Sequence, residues 1–291
     1  MARWFFSFAV ISLIGCAPEP NLARREGGIV LTDDAGQPTS LLRAASRVVS
    51  LVPAATELVF ALGAGDRLVG RTKWCDYPAA VADIPSVGDG LLPNVEAIAA
   101  ARPDLVLAYR SPSNAPAVGQ LRSLGIPVLE LAIDRFEDFE RDARLVGRAL
   151  GLGARGDSLA EAVRADLERA TVRNDRPPAV LIVAWADPPM TIGGGSFLDE
   201  ILRRAGARNL FGDSNRPSFV VSLEAVVARN PDLVLVVGDD DPDFASRVEW
   251  QVVPAIRGRR FVRVTGSMFN RPSPRIGEAV RTLGAALGTP R

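Results

Sequence analysis

Histidine is absent from all 291 residues. That removes the side chain that most often acts as a general base near neutral pH, and the commonest transition-metal ligand. Cysteine is scarce: with only Cys16 and Cys75, the chain cannot build a multi-cysteine zinc or iron–sulfur site. Net charge is missing too. Thirty-four basic residues balance 34 acidic ones, and no long block of Lys or Arg occurs, which argues against a nucleic-acid groove or a polybasic membrane patch. What is present is a globular composition, 47% hydrophobic and 23% charged, at a length that suits two domains better than one.

A run long enough to span a bilayer is also lacking at the N-terminus. Arg3 precedes an apolar stretch over residues 4–14, too short to cross a hydrocarbon core of about 30 Å as a helix. It ends in Leu13-Ile14-Gly15-Cys16, which resembles a bacterial lipobox. Small Gly15 precedes the cleavage point, and the Cys16 thiol would carry the lipid. Residues 1–16 are therefore expected to be a lipoprotein signal and 17–28 a tether. The folded part would work in the periplasm or at the cell surface, held to a membrane by lipid. With Cys16 acylated, Cys75 would have no disulfide partner within the chain.

The chain contains one segment twice. Residues 96–107 read EAIAAARPDLVL and residues 224–235 read EAVVARNPDLVL, identical at eight of twelve positions. Such a repeat predicts two similar lobes with a cleft between them. Strand and helix signals alternate in both. In the first, residues 29–42 form a hairpin around Asp33-Asp34-Ala35-Gly36, and residues 47–52 form a strand. Thr56 is expected to cap a helix over residues 57–62. In the second, residues 179–185 form a strand, and Gly193-Gly194-Gly195 leads into a helix. Between them, Phe136, Phe139, Ala143, Val146 and Leu150, then Leu159, Val163 and Leu167, recur at helical spacing. The expected fold is α/β: two Rossmann-like lobes, each with a central mostly parallel sheet, over residues 29–133 and 177–291. A long rigid helix, the connector over 134–176, is expected to join them and to limit ligand-driven closure to a small movement.

At this point RVVSLVPAATELVFALGAGDRLVG, CDYP, NVEAIAAARPDLVLAY, SLEAVVARNPDLVLVVG and Ser273-Pro274-Arg275-Ile276 resemble the helical-backbone class of periplasmic substrate-binding proteins. That class serves ABC importers of cobalamin, ferric siderophores and haem. The resemblance covers about residues 28–290 and is nearest to the cobalamin-binding branch. It implies a cleft that takes a corrinoid or an iron chelate as cargo, with no resident cofactor or metal. It implies a monomer whose partners are an ABC permease dimer with its ATPase, the membrane through the lipid anchor, and no nucleic acid. By position, Glu96 and Glu224 correspond to the glutamates that dock onto permease arginines. Both also suit helix N-termini, where an acid favours the dipole and capping.

The resemblance places Trp74, Tyr109, Trp185, Phe219 and Phe269 among cleft-lining aromatics, which a flat and largely apolar ligand requires. Arg271 is open to two readings, an anion contact or a loop anchor paired with a carboxylate. Two places depart from the cobalamin pattern. Residues 87–91 before Glu96 carry no aromatic, and Ser267 and Met268 stand where an acid and a Trp are usual. A haem binder could instead use Tyr109 or Tyr77 as an iron ligand, and a siderophore binder would gather arginines in the cleft. An enzyme is not expected. Ser218 and Ser267 have no histidine to activate them, and the triple glycine lacks the Lys and spacing of a P-loop. A sensory lipoprotein on the same fold is the remaining alternative.

Overall fold

The computed structural model describes residues 28–238 and 241–288. Cys16 and nearly all of the tether lie outside these residues. The described residues open with a hairpin of β1 (Ile29–Thr32) and β2 (Pro38–Leu41). The first lobe follows as β3 (Val48–Ser50), α1 (Pro53–Ala61), β4 (Leu68–Arg71), α2 (Val95–Ala100), β5 (Leu105–Tyr109), α3 (Ala115–Ser123) and β6 (Val128–Leu131). The connector is α4 (Phe136–Ala149) and α5 (Gly153–Ala170). The second lobe begins with β7 (Ala179–Val183), β8 (Trp185–Ala186), β9 (Pro189–Ile192), α6 (Phe197–Arg204), β10 (Arg208–Asn209) and β11 (Ser218–Val220). It ends with α7 (Leu223–Arg229), β12 (Leu233–Val237), α8 (Pro254–Arg257), β13 (Phe261–Val264) and α9 (Ile276–Leu287).

The two central sheets share one topology. Strand order is β4-β3-β5-β6 in the first lobe and β10-β7-β12-β13 in the second, parallel throughout. Strands β3, β5, β6 and β7 are buried almost end to end, as sheets covered on both faces demand. In this order the chain reverses its winding between β3 and β5, and between β7 and β12. A crevice opens at the carboxyl ends of such strands.

The repeated segment does the same structural work in each lobe. Arg102 and Asn230, at matched positions, both adopt left-handed backbone (φ 47° and 46°) and let the chain turn from helix into strand. The aspartate two residues later ties down the neighbouring strand. Asp104 accepts from the backbone N–H of Ser46 and Arg47 at 3.0 and 2.8 Å, and Asp232 accepts from that of Ala179 at 2.7 Å.

Two expectations are corrected. Helix α1 starts at Pro53, not after Thr56, because proline at the first helical position arrives with its φ already helical. Thr56 is buried within the helix, where its hydroxyl donates to Ser50 Oγ at 2.8 Å and also reaches the Val52 carbonyl one turn back. The connector is a pair of helices rather than one long helix. Gly151 (φ 68°) turns the chain between them. The helices then cross closely at Gly147 and Gly156, where a Cβ on Gly156 would lie 2.5 Å from the Ala143 carbonyl oxygen. One continuous core runs from Val48, Leu58 and Leu107 through Phe139, Val146 and Leu167 to Ile201, Val280 and Leu283. The connector therefore belongs to a core that both lobes share.

Candidate functional site

A cavity of about 400 Å³ opens between the lobes at the carboxyl ends of both sheets. The first lobe supplies residues 51–54 after β3, Tyr109 at the end of β5, and Trp74; the second supplies Phe197, Asn270 and Arg271. A second chamber of about 450 Å³ shares Tyr109, Asp134 and Phe197 and extends toward Arg135, residues 194–196 and Asn215. The first chamber is mainly apolar and the second more polar. That division suits a ligand with a flat hydrophobic body and hydrogen-bonding edges.

Tyr109 stands where the chambers meet. Its hydroxyl donates to Asp134 Oδ1 at 2.5 Å. Burial, then this carboxylate, pushes its pKa up to about 12, so the phenol stays protonated at neutral pH. Trp74 is more than half exposed, with Lys73 Nζ 4.8 Å from its ring centroid, and Lys73 is itself paired with Asp89 at 3.0 Å. Phe197, the first residue of α6, presents its ring beneath the cleft and is otherwise packed in the core. Ser196 caps that helix, accepting from Asp199 N at 3.2 Å, and the preceding Gly193 and Gly194 approach the backbone of residues 212–216 too closely for any side chain.

Arg271 reaches the cleft wall as part of a clamp. Its Nε donates to Glu57 Oε1 at 2.9 Å, and its other end pairs with Asp76. Arg275 donates to both oxygens of Glu57 at 2.9 and 2.8 Å and lies 3.7 Å from the centroid of the Tyr77 ring. Glu57 is 2% exposed, so a buried carboxylate of the first lobe is held by two arginines of the second. The loop-anchor reading of Arg271 matches this geometry, and its charge is largely cancelled at the cleft. Tyr77 is taken up by Arg275 and lines neither chamber. Cys75 is buried and free, with its sulfur 3.1 Å from Thr56 Oγ1.

The residues expected at the site divide. Trp74, Tyr109 and Arg271 come together around the first chamber. Phe269 does not: it is 1% exposed in the core, because Gly266 (φ 98°) starts a 3-10 turn that puts Phe269 inward and Asn270 on the cleft wall. Trp185 lies on β8, 63% exposed, with Nε1 donating to the Asp187 carbonyl, and lines neither chamber. Phe219 on β11 is half-buried, edge-on to Phe211 with centroids 5.6 Å apart and under the Arg216 guanidinium, again outside both chambers. Sequence reasoning missed Phe197, Asp134, Asn270 and Glu57. The residue after Gly-Gly-Gly-Ser was a usable signal for Phe197, since a helix that starts at a strand's carboxyl end turns its first residues toward the crevice.

A family model for periplasmic binding proteins matches residues 48–267. The chain belongs to the periplasmic binding protein family. Within the family it is 30% identical over 269 residues to the Bacillus subtilis uncharacterized ABC transporter substrate-binding lipoprotein YvrC, covering 89% of this chain and 85% of that one. It is 30% identical over 246 residues to the vitamin B12-binding protein of Yersinia pestis, covering 83% and 86% of the two chains. Among solved structures, the periplasmic heme-binding protein RhuT from Roseiflexus superposes with a TM-score of 0.72 at 27% identity, covering 84% of this chain and 98% of that one.

As in the repeat that first suggested two lobes, this family member carries Glu96 and Glu224 at matched positions, each the second residue of its helix. Both are exposed. Asn94 and Ser222 cap the helices, accepting from Ala97 N at 3.0 Å and Ala225 N at 3.3 Å. The backbone N–H of Glu224 and the Ser222 hydroxyl hold the Glu224 carboxyl below its usual range, so it is ionised at neutral pH. Residues 90 and 91, in the loop before α2, line the first chamber. Among the described residues, no helix is long and apolar enough to cross a membrane, and no group of three or more His, Cys, Asp or Glu could hold a metal.

Proposed function

We propose that this chain is the substrate-binding component of an ABC importer, tethered outside the cytoplasm by lipid on Cys16, and that it captures cobalamin or a related corrinoid. The observation that carries the reading is the interlobe cavity. It places Trp74, Tyr109 and Phe197 from two lobes around one largely apolar space, with Asn270 and Asp134 as polar edges. The kinship to a vitamin B12-binding protein and to a lipoprotein supports cargo and anchor respectively. The clamp of Glu57 on Arg271 and Arg275 leaves little free positive charge at this wall, which favours a neutral ligand body over a polyanionic siderophore.

One observation favours a second reading. Tyr109 reaches the cleft and is an oxygen ligand of the kind haem iron accepts, and a solved relative of similar fold is heme-binding. The raised Tyr109 pKa opposes the phenolate that ligation needs. Absorbance titrations with cyanocobalamin and with haemin separate the two. We expect binding of cyanocobalamin in the micromolar range or tighter, and no Tyr109-dependent charge-transfer band with haemin. A haem spectrum lost in Tyr109→Phe, with no response to cyanocobalamin, would reverse the assignment.

Delivery is proposed to use Glu96 and Glu224 as two acidic feet on a two-fold permease, fixing orientation and encounter rate more than affinity. The Glu96→Ala, Glu224→Ala protein should keep its ligand affinity and lose uptake in a cell-based assay. Normal uptake would refute docking through these residues.

A further inference from the structure

Four positions before each of the paired glutamates, the chain exposes an apolar side chain. Leu92 is 79% exposed and Val220 is 56% exposed, and both large hydrophobics face solvent. They are separated by 220 − 92 = 128 positions, the same offset that separates Glu96 from Glu224. Helix capping does not explain them. The apolar residue that staples a helix start precedes the cap directly, and in the second lobe that residue is Val221, buried in one core cluster with Val226. Leu92 and Val220 lie one residue further out, and neither lines either chamber of the cleft.

In the second lobe the apolar surface is wider. Val220 is paired with Met190, and Met190 with Trp185, across β11, β9 and β8. Directly opposed residues project from one face of an antiparallel sheet, so Trp185, Met190 and Val220 form a row. Trp185, at 63% exposure, is its outer end. This row runs up to the residue just before Val221 and the Ser222 cap of the helix that carries Glu224.

We infer that each foot is composite, a carboxylate with an apolar contact beside it, and that Leu92 on one lobe and the Trp185–Val220 row on the other complete the docking surface. The partner is the membrane-embedded permease dimer. Its matching chemistry is a basic side chain next to an apolar surface, presented twice about a two-fold axis. Charge complementarity comes from Glu96 and Glu224; the repeat register gives the two-fold arrangement. In this division the carboxylates steer and orient, while the apolar side chains, desolvated on contact, set how long the complex lasts. The inference rests on the docking reading above and extends it from two residues to two surfaces.

The test is the affinity of this protein for its cognate permease–ATPase complex in lipid nanodiscs, at several salt concentrations. The Leu92→Ser, Val220→Ser protein should bind about tenfold or more weakly, with the salt dependence of the parent. Trp185→Ser alone should weaken binding in the same sense. The Glu96→Gln, Glu224→Gln protein should instead lose most of its salt dependence. All three changes are at exposed positions, and thermal melts should match the parent. If the serine variants bind like the parent while the glutamine variant fails, the feet are purely electrostatic and this inference is wrong, with docking intact. If neither class of variant matters, docking through this face fails as well.

Discussion

Glu57 joins the lobes through partners 214 and 218 residues away, Arg271 and Arg275. Its side chain is 1% exposed and each arginine 15% exposed, so the charges are paired away from water. Removing one member of such a group strands the others: Glu57→Ala is expected to cost about 3 kcal/mol in urea unfolding, whereas Lys73→Ala, whose ion pair with Asp89 lies at the surface, should cost far less. An equal loss in both would mean that the clamp contributes no more than a surface pair. Burial raises the pKa of Asp76, but the hydrogen bond and charge of Arg271 outweigh it, and the carboxyl stays below its usual range. The sequence suggested a carboxylate partner for Arg271 but could not name it, because Ser-Pro-Arg-Ile and Thr-Glu-Leu carry no local mark of a contact made across the fold. The aromatics teach the same lesson. Tyr109, at the end of a repeated strand, could be placed in the cleft from its position. Phe269 and Asn270 are neighbours in one loop, and only the left-handed Gly266 decides which faces inward.

At the scale of elements, the repeat foretold the matched pairs α2 with α7 and β5 with β12, and the periodicity foretold a helical connector. What periodicity could not show was the break at Gly151, since two antiparallel helices can continue one hydrophobic pattern. Helix α4 also carries a buried group that the pattern did not flag. Asp142 is fully buried, and neither of its oxygens receives a hydrogen bond. Arg141 lies 3.2 Å away but directs its N–H groups to Asp34 and Asp138. Burial, then the negative charge of Asp34 on the hairpin, raises the Asp142 pKa from 3.8 to about 8. A raised carboxyl pKa means that the fold holds a proton which the unfolded chain releases. Stability from this group is therefore complete below pH ~4 and is lost as pH rises toward about 8. The melting temperature should fall between pH 6 and pH 8.5, and Asp142→Asn should flatten that fall. A fall of the same size in Asp142→Asn would assign it to other groups.

At the scale of the molecule, one hydrophobic core passes from the first lobe through α4 and α5 into the second. A shared core of this kind is expected to hold the lobes as a clamp of nearly fixed opening, and in the proposed reading the ligand is selected by the loops at the carboxyl ends of two sheets that share a topology. Those loops do not repeat, which is why the two-lobe fold was readable from the duplication while half of the cleft was not. The central claim is that a corrinoid is captured between the lobes, against Trp74. Calorimetric titration of cyanocobalamin into the parent protein and into Trp74→Ala tests it most directly. Binding in the micromolar range or tighter, weakened about tenfold or more by Trp74→Ala, is the expected result. No heat and no spectral change with the parent protein, or undiminished binding by Trp74→Ala, would contradict it.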